Sequence, residues 1–459
     1  SPEEAYTMVA DAFACSERMG RPVILRPTTR VCHSYASVQL LDKLPAKTPE
    51  GYTKDNGRWV IFPRLAYANH IKIEAQLQEL SKEFSRYAGN QLTGSGTKGI
   101  ACGGVSTAYV KEALAQLHQD CKLLKIATVP FPAPLGEAFL RGLEEVLVVE
   151  ELDPVIETSL GALRGTAKIK GKLTGDVHNA GENTVASVTK AIRKFLTGED
   201  AAQTAPALPT LPVRPPVLCA GCPHRASFFA IKEAAKGRKA VYSGDIGCYT
   251  LGNAQPLDMV DTCLCMGAGI AQAQGLHRVE PDTLHFAFIG DSTFFHTGIP
   301  GIVNAVYNQT DIIVVILDNA TTAMTGNQPH PGIGKTVAGQ VVDKISIYEI
   351  VKAIGVAKLV RVNAFDLPEV IAAAKSMLDK PGVRVLLLEG PCIAIGKTKK
   401  PPLTIKQAAC TGCRLCIKKL GCPAISLSDG KALIDSALCT GCGICTNVCP
   451  FRAIGGAAE

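Results

Sequence analysis

Tryptophan occurs once in this 459-residue chain, and aromatic residues together make up only 5%. A protein that holds single-stranded nucleic acid stacks bases on aromatic rings along a basic groove. No basic stretch here is interleaved with aromatics, so nucleic acid is not expected as a partner. Long apolar runs are missing too. The longest, Ile312 to Leu317, is the size of a buried strand, against the ~20 residues that cross a bilayer, so no membrane span is expected. Residues 1–10 lack a basic stretch followed by an apolar core, so no secretory leader is expected. Disorder is excluded by composition, since 47% of residues are hydrophobic and only 19% charged.

Cysteine is abundant but uneven. Of 18, eight fall between Cys410 and Cys449. A secreted disulfide scaffold is short and cysteine-dense throughout. A long chain with a cysteine-rich tail points instead to metal clusters in a reducing, cytoplasmic setting. The formal charge of +7 is also concentrated there: from Lys397 to Glu459, nine Lys and Arg stand against three Asp and Glu. This is either a solvated face or a docking surface for an acidic partner.

The length allows about three domains at roughly 150 residues each. Prolines 206, 209, 212, 215 and 216 forbid helix and mark an extended linker over 201–216. A second break, GKTKKPP, covers 396–402. Before the linker, GIACGGV (99–105), LLKIATV (123–129) and EVLVVEE (145–151) read as buried parallel strands, with KEALAQLHQ (111–119) and GEAFLRGLE (136–144) as helices between them. After it, AVYSG (240–244), LHFAFIG (284–290), IIVVILD (312–318), AKLVRV (357–362) and VRVLLLEG (383–390) repeat the pattern. Two α/β domains with mainly parallel sheets are predicted. Ser1 to Arg21 reads as a helix and VILRPTTR (23–30) as a strand. One of each cannot bury a core, so this piece either packs on the next domain or continues one that lies upstream.

The tail reads Cys410-x2-Cys413-x2-Cys416, then Cys422-Pro423. It repeats as Cys439-x2-Cys442-x2-Cys445-x3-Cys449-Pro450. The x2 spacing lets one loop place three thiolates around a cubane, and the fourth ligand comes from the other repeat. Cys410, Cys413, Cys416 and Cys449 are therefore assigned to one [4Fe–4S] cluster, and Cys439, Cys442, Cys445 and Cys422 to a second. A zinc site would use two pairs rather than two triplets. The first repeat departs from the pattern, with five residues, Ile417 to Gly421, where three are usual, and this bears on Cys422.

Gly290-Asp291-Ser292 ends one apolar strand and Leu317-Asp318-Asn319 the next, with TGIPGIVNAVYNQ (297–309) patterned as the crossover helix. Neighbouring parallel strands end side by side at the ligand-binding edge, so Asp291 and Asn319 should point at one place. These are hard oxygen ligands for Mg²⁺, and the Thr321 carbonyl is the candidate third. The spacing is similar to the metal–diphosphate motif of thiamine diphosphate enzymes, with Ser292 at a position usually glycine. Asp245, Gly247 and Cys248 end another strand. Met266 and Gly267 open an apolar helix, and together they would line the rest of a diphosphate pocket.

LCAGCPHR (218–225), GDIGCYTLG (244–252), DTCLCMGAGIAQAQG (261–275), the GDS…DN pair and the doubled cluster motif occur in that order. With LRPTTRVCHS (25–34), they resemble the 2-oxoacid:ferredoxin oxidoreductases, most of all the large (alpha) subunits acting on indolepyruvate. The resemblance implies an α/β fold with thiamine diphosphate-binding parallel-sheet domains and a C-terminal two-cluster ferredoxin-like domain. Its parts would be the end of a pyrimidine-binding domain (1–35), a transketolase-C-like domain (36–200), the linker (201–216), the diphosphate and Mg²⁺ domain (217–396) and the ferredoxin-type domain (397–459).

The resemblance also implies oxidative decarboxylation of an aryl 2-oxoacid to its acyl-coenzyme A. The expected partners are a smaller beta subunit in a hetero-oligomer, ferredoxin, coenzyme A and the 2-oxoacid. Alternatives are another 2-oxoacid, such as phenylglyoxylate or a branched-chain acid, or a non-catalytic electron-transfer subunit. The glutamate that activates the cofactor in this family is expected upstream of Ser1. Some relatives hold a third cluster, and Cys219, Cys222, Cys248 and Cys392 match its ligands by position; otherwise they are unrelated buried thiols. Cys15, Cys32, Cys102, Cys121, Cys263 and Cys265 are read as core residues. His224 either approaches the cofactor or is a simple loop histidine.

Overall fold

Strands that are apolar on both faces need cover on both. The strand-like runs obtain it in the computed structural model, which describes residues 1–42, 51–199, 211–396 and 400–456. The chain divides into two units, Ser1–Pro209 and Thr210–Glu459. Most of the proline-rich linker lies outside the described residues, as do Lys397–Lys399 of the second break, and 211–216 has no regular structure.

The first unit holds β1 (Gln91–Thr93), β2 (Lys98–Gly103), β3 (Lys122–Ile126), β4 (Glu145–Val149) and β5 (Lys168–Lys170) in the order β1-β3-β2-β4-β5. All pairs are parallel except β1 with β3. Alternation divides the strands between two cores. Ile100, Cys102, Leu147 and Val149 meet the helices Ser106–Leu117 and Val185–Thr197. Ala101, Leu124, Val146 and Val148 meet Phe139 and Leu140 of the Ala133–Leu140 helix and Ile156 and Leu160 of the Val155–Gly161 helix. The expected helix over 136–144 stops at Leu140, because Gly142 takes φ +75.

Helix Pro2–Met19 forms as expected, but neither it nor helix Pro63–Phe84 has a buried residue. The two are joined by Arg18, which forks onto both oxygens of Glu83 at 2.7 Å. The strand expected over 23–30 is absent. Residues 23–28 have no regular structure and Thr29–Cys32 is a single helical turn. Pro22 and Pro27 bracket the segment and remove ladder donors, so its apolar residues, such as Ile24, stay exposed.

The second unit holds β6 (Ala240–Ser243), β7 (Leu284–Gly290), β8 (Ile313–Asp318), β9 (Lys358–Asn363) and β10 (Arg384–Glu389) in one parallel sheet, ordered β6-β7-β8-β10-β9. On one face Ala287, Ile289, Val314, Ile316, Val385 and Leu387 pack against helices that include Ala268–Val279 and Ile299–Tyr307. The helix expected over 297–309 opens earlier, through a wide turn at Phe294–Gly298. On the other face Phe286, Phe288, Val315, Leu317, Leu386 and Leu388 meet the helices Pro223–Ala234 and Leu367–Leu378. Each buried large side chain contributes about 1.5–3 kcal/mol of transfer free energy.

The same core continues into the cysteine tail through Cys416, Leu420, Ile425, Ile444, Cys445, Val448 and Ile454. There β11 (Thr404–Ile405) pairs antiparallel with a strand late in the chain, and β12 (Ile425–Ser428) forms a hairpin with β13 (Lys431–Ile434). Its turn residues, Asp429 and Gly430, both have positive φ, as a two-residue hairpin requires. The partner of β11 is β14 (Ile454–Gly455). No described helix is long and apolar enough to cross a membrane.

Candidate active site

Register decides which residues meet at the carboxyl edge of the second sheet. Gly290 of β7 pairs with Leu317 of β8, and Asp318 of β8 pairs with Glu389 of β10. Asp291 and Asn319, the first residues beyond their strands, therefore leave the sheet side by side, and both are buried. Burial and the charge of Asp291 push the neighbouring Asp318 carboxyl up to about 7. Asp291 Oδ2 has no hydrogen-bond partner. His330 Nε2 lies 3.0 Å from it, but the two are not aligned to bond, and both remain unsatisfied. An orphaned carboxylate oxygen beside a second carboxyl is an arrangement that a divalent cation would relieve.

His224 is not on a loop. It lies in the first turn of the Pro223–Ala234 helix, buried, with its ring edge-on to Tyr249 at 5.4 Å. Burial lowers its pKa to about 4, against the pull of the Asp291 charge, so the imidazole is neutral at pH 7. Its Nε2 stands 3.3 Å from Asn319 Nδ2 and accepts from that amide. This turns Asn319 Oδ1 the other way, where it accepts from the Thr321 N–H at 3.3 Å. Thr321 is buried, and Ser292 Oγ accepts from Thr322 Oγ1 at 2.9 Å.

Asp245 ties the next strand end to a helix start. Its Oδ1 accepts from the Gly267 N–H at 2.7 Å and its Oδ2 from the Tyr249 hydroxyl at 2.9 Å. Burial raises this carboxyl, and the two bonds act against the rise. Gly267 has φ +85 and no room for a side chain, because a Cβ would strike Thr297. A Cβ on Gly269 would lie 2.5 Å from the Gly244 carbonyl. The helix Ala268–Val279 thus presents its amino end close to the β6 terminus, as diphosphate binding requires. The Gly247 N–H donates to Thr250 Oγ1 at 3.1 Å. Cys248 is half-buried and Met266 exposed.

Each cysteine tetrad of the tail surrounds its own cavity. Cys410, Cys413, Cys416 and Cys449 line one; Cys422, Cys439, Cys442 and Cys445 line another. Among the described residues no three His, Cys, Asp or Glu side chains form a site for a single metal ion. Four thiols round one cavity, three of them at x2 spacing, suit a polynuclear cluster. Burial raises the Cys248 thiol, with Cys392 and Cys219 close enough to add to the rise, and Cys219 acts likewise on Cys222. The Cys392 N–H donates to the Asn319 carbonyl at 3.0 Å.

Two stretches match known family models. Residues 245–387 match the thiamine pyrophosphate enzyme C-terminal TPP binding domain, and 432–455, the second cysteine repeat, match the 4Fe-4S binding domain. The indolepyruvate oxidoreductase subunit IorA of Methanothermobacter thermautotrophicus is 37% identical over 99% of this chain and 75% of its own length. That of Pyrococcus abyssi is 39% identical over 99% of this chain and 76% of its own. The chain belongs to the indolepyruvate oxidoreductase subunit IorA family. It is thus a thiamine diphosphate-dependent 2-oxoacid:ferredoxin oxidoreductase subunit with a 4Fe–4S domain. A solved 2-oxoglutarate:ferredoxin oxidoreductase from Magnetococcus marinus aligns over 40% of this chain and 67% of that chain, at 18% identity and a TM-score of 0.35.

Sequence reasoning about this IorA-family chain missed Asp318, His330 and Tyr249. Asp318 was within reach, being an acidic residue beside Asn319 at a strand end. His330 comes from an irregular loop after β8 and carries no periodic signal. Of the six cysteines expected in the core, only Cys102 and Cys121 are buried. Cys15 is half-buried, while Cys32, Cys263 and Cys265 are exposed. Cys263 and Cys265 precede the Gly267 turn in a connecting loop, where backbone polar groups need solvent.

Proposed function

We propose that this chain, with a smaller beta subunit, oxidatively decarboxylates an aryl 2-oxoacid of the indolepyruvate type, forms the acyl-coenzyme A and reduces ferredoxin. The observation that carries the reading is the 3.0 Å bond from the Cys392 N–H to the Asn319 carbonyl. A candidate cluster ligand and a candidate Mg²⁺ ligand share one hydrogen bond, so a redox group and a diphosphate would occupy one site.

In this reading Asp291, the Asn319 amide oxygen and the Thr321 carbonyl hold Mg²⁺ on the diphosphate. Neutral His224 keeps the Asn319 amide from turning its nitrogen toward the cation. Asp245 fixes Gly267, and Gly290 keeps the strand end open beside the Tyr249 ring, which a Cβ there would meet at 2.5 Å. When bound, thiamine diphosphate supplies the nucleophilic carbon on which a 2-oxoacid loses CO₂, and [4Fe–4S] clusters take up electrons one at a time. Two clusters belong to the tail tetrads and a third to Cys219, Cys222, Cys248 and Cys392. The cysteines favour oxidation over release of an aldehyde.

The test uses the complex with its partner subunit, assayed for ferredoxin reduction with indolepyruvate, phenylglyoxylate and a branched-chain 2-oxoacid, with and without coenzyme A. Fastest turnover with the aryl acid and an acyl-coenzyme A product are expected, with about twelve irons per chain. About eight irons would return the Cys219 group to plain thiols. Iron without thiamine diphosphate would make the chain an electron-transfer subunit only.

A further inference from the structure

Arg225 follows His224 on the same helical turn but points to a different part of the unit. It is buried, 3% exposed. Its Nη1 donates to the carbonyls of Leu420 at 2.5 Å and Gly421 at 2.9 Å, and its Nη2 to the Leu218 carbonyl, while its Nε has no partner. Among the described residues these bonds all go to carbonyls, with no carboxylate in the set. The groups whose negative form would act on it are the thiols of Cys422, Cys222, Cys219 and Cys442. A buried guanidinium stays charged, and a buried charge requires a counter-charge. Once those cysteines hold clusters, thiolates of two different groups would supply it.

The contact also accounts for the departure in the first cysteine repeat. The five residues Ile417–Gly421 extend the short helix Leu415–Leu420, and its last carbonyls are the ones that Arg225 holds. Lys419 of the same insertion pairs with Glu233 at 3.0 Å, and its ammonium lies 5.9 Å from the Phe229 ring centre. Gly421 has φ +59, and a Cβ there would come within 2.5 Å of Pro256 Cδ. The insertion is a docking element, and Cys422 follows it directly.

We propose that Arg225 is a positioning residue for electron transfer between the Cys219/Cys222 group and the cluster held by Cys422, Cys439, Cys442 and Cys445. It pins the segment that carries Cys422, and its fixed positive charge favours the reduced, more negative state of the cluster beside it. In the step it serves, the first cluster loses one electron and the second gains it, with no proton moved at Arg225. The inference rests on the cluster assignments of the preceding section.

The experiment compares the wild-type complex with Arg225→Met and Arg225→Lys variants by iron and thiamine diphosphate content and by EPR-monitored redox titration. A wild-type complex without iron would refute the cluster assignments themselves, before any variant is made. With iron intact, the Met variant is expected to lower the reduced-to-oxidised ratio of one cluster about tenfold at the wild-type midpoint, which is 59 mV for one electron. The Lys variant, which keeps the charge, is expected to restore most of it. Full iron and unchanged potentials in the Met variant would overturn the proposal. If the Met variant loses four irons, the Lys variant decides. Retention of the cluster at the wild-type potential supports the charge, whereas loss or an equal drop in potential overturns it.

Discussion

At the residue scale, the site depends on a few polar atoms whose partners are incomplete. Asp291 Oδ2 is buried and unsatisfied, so Asp291→Ala should remove a cation ligand without opening a core. Thiamine diphosphate should be lost on gel filtration while iron per chain stays near wild type, and unchanged cofactor content would refute the Mg²⁺ assignment. Cys102 and Cys121 differ in kind. Burial pushes both thiols up to about 11 from an ordinary 9.0. A raised thiol pKa means fewer thiolates at any pH below it, by roughly a hundredfold here. Alkylation of the native protein at pH 8, followed by mass spectrometry, should mark exposed Cys32 and spare both buried thiols.

At the scale of elements, what the sequence made legible was what depends on periodicity or fixed spacing. The strand runs 284–290 and 312–318 and the two cysteine tetrads are of this kind. Apolar continuity specifies a strand covered on both faces, and Cys-x2-Cys-x2-Cys specifies a loop around a cluster. What stayed hidden depends on tertiary partners. VILRPTTR has strand-like residues but no neighbour to pair with. His330 reaches Asp291 only because a loop folds back over the sheet edge. The two extra residues in the first repeat looked like a defect in a motif, because their purpose lies on the Pro223–Ala234 helix. Gly421→Ala tests that purpose. It forces a Cβ onto Pro256 at a left-handed position, and should release the Leu415–Leu420 helix. Faster hydrogen exchange over 415–422, with little change in β7 and β8, is the expected outcome.

At the scale of the whole molecule, part of the basic excess in the tail is already used internally. Lys419 pairs with Glu233 and Lys431 donates to the Gln407 carbonyl at 2.6 Å. The remaining lysines and arginines carry the expectation of an acidic partner. If they form a docking face, raising salt from 50 to about 300 mM should increase the ferredoxin concentration needed for half-maximal rate several-fold, since exposed charges are screened within about 10 Å. A flat salt profile would assign them to solvation alone.

The apolar cluster that starts at Phe228 and Phe288 runs without a break into Ile425, Ile444 and Ile454. The iron-bearing end of the chain is therefore welded to the sheet that holds the strand-end carboxylates, and cannot act as a swinging arm that ferries electrons by moving. Electron hops must then proceed over a distance set at folding. Stripping the iron with a chelator should lower the melting temperature of the second unit as a whole, in one transition, instead of unravelling the tail and leaving the sheet intact.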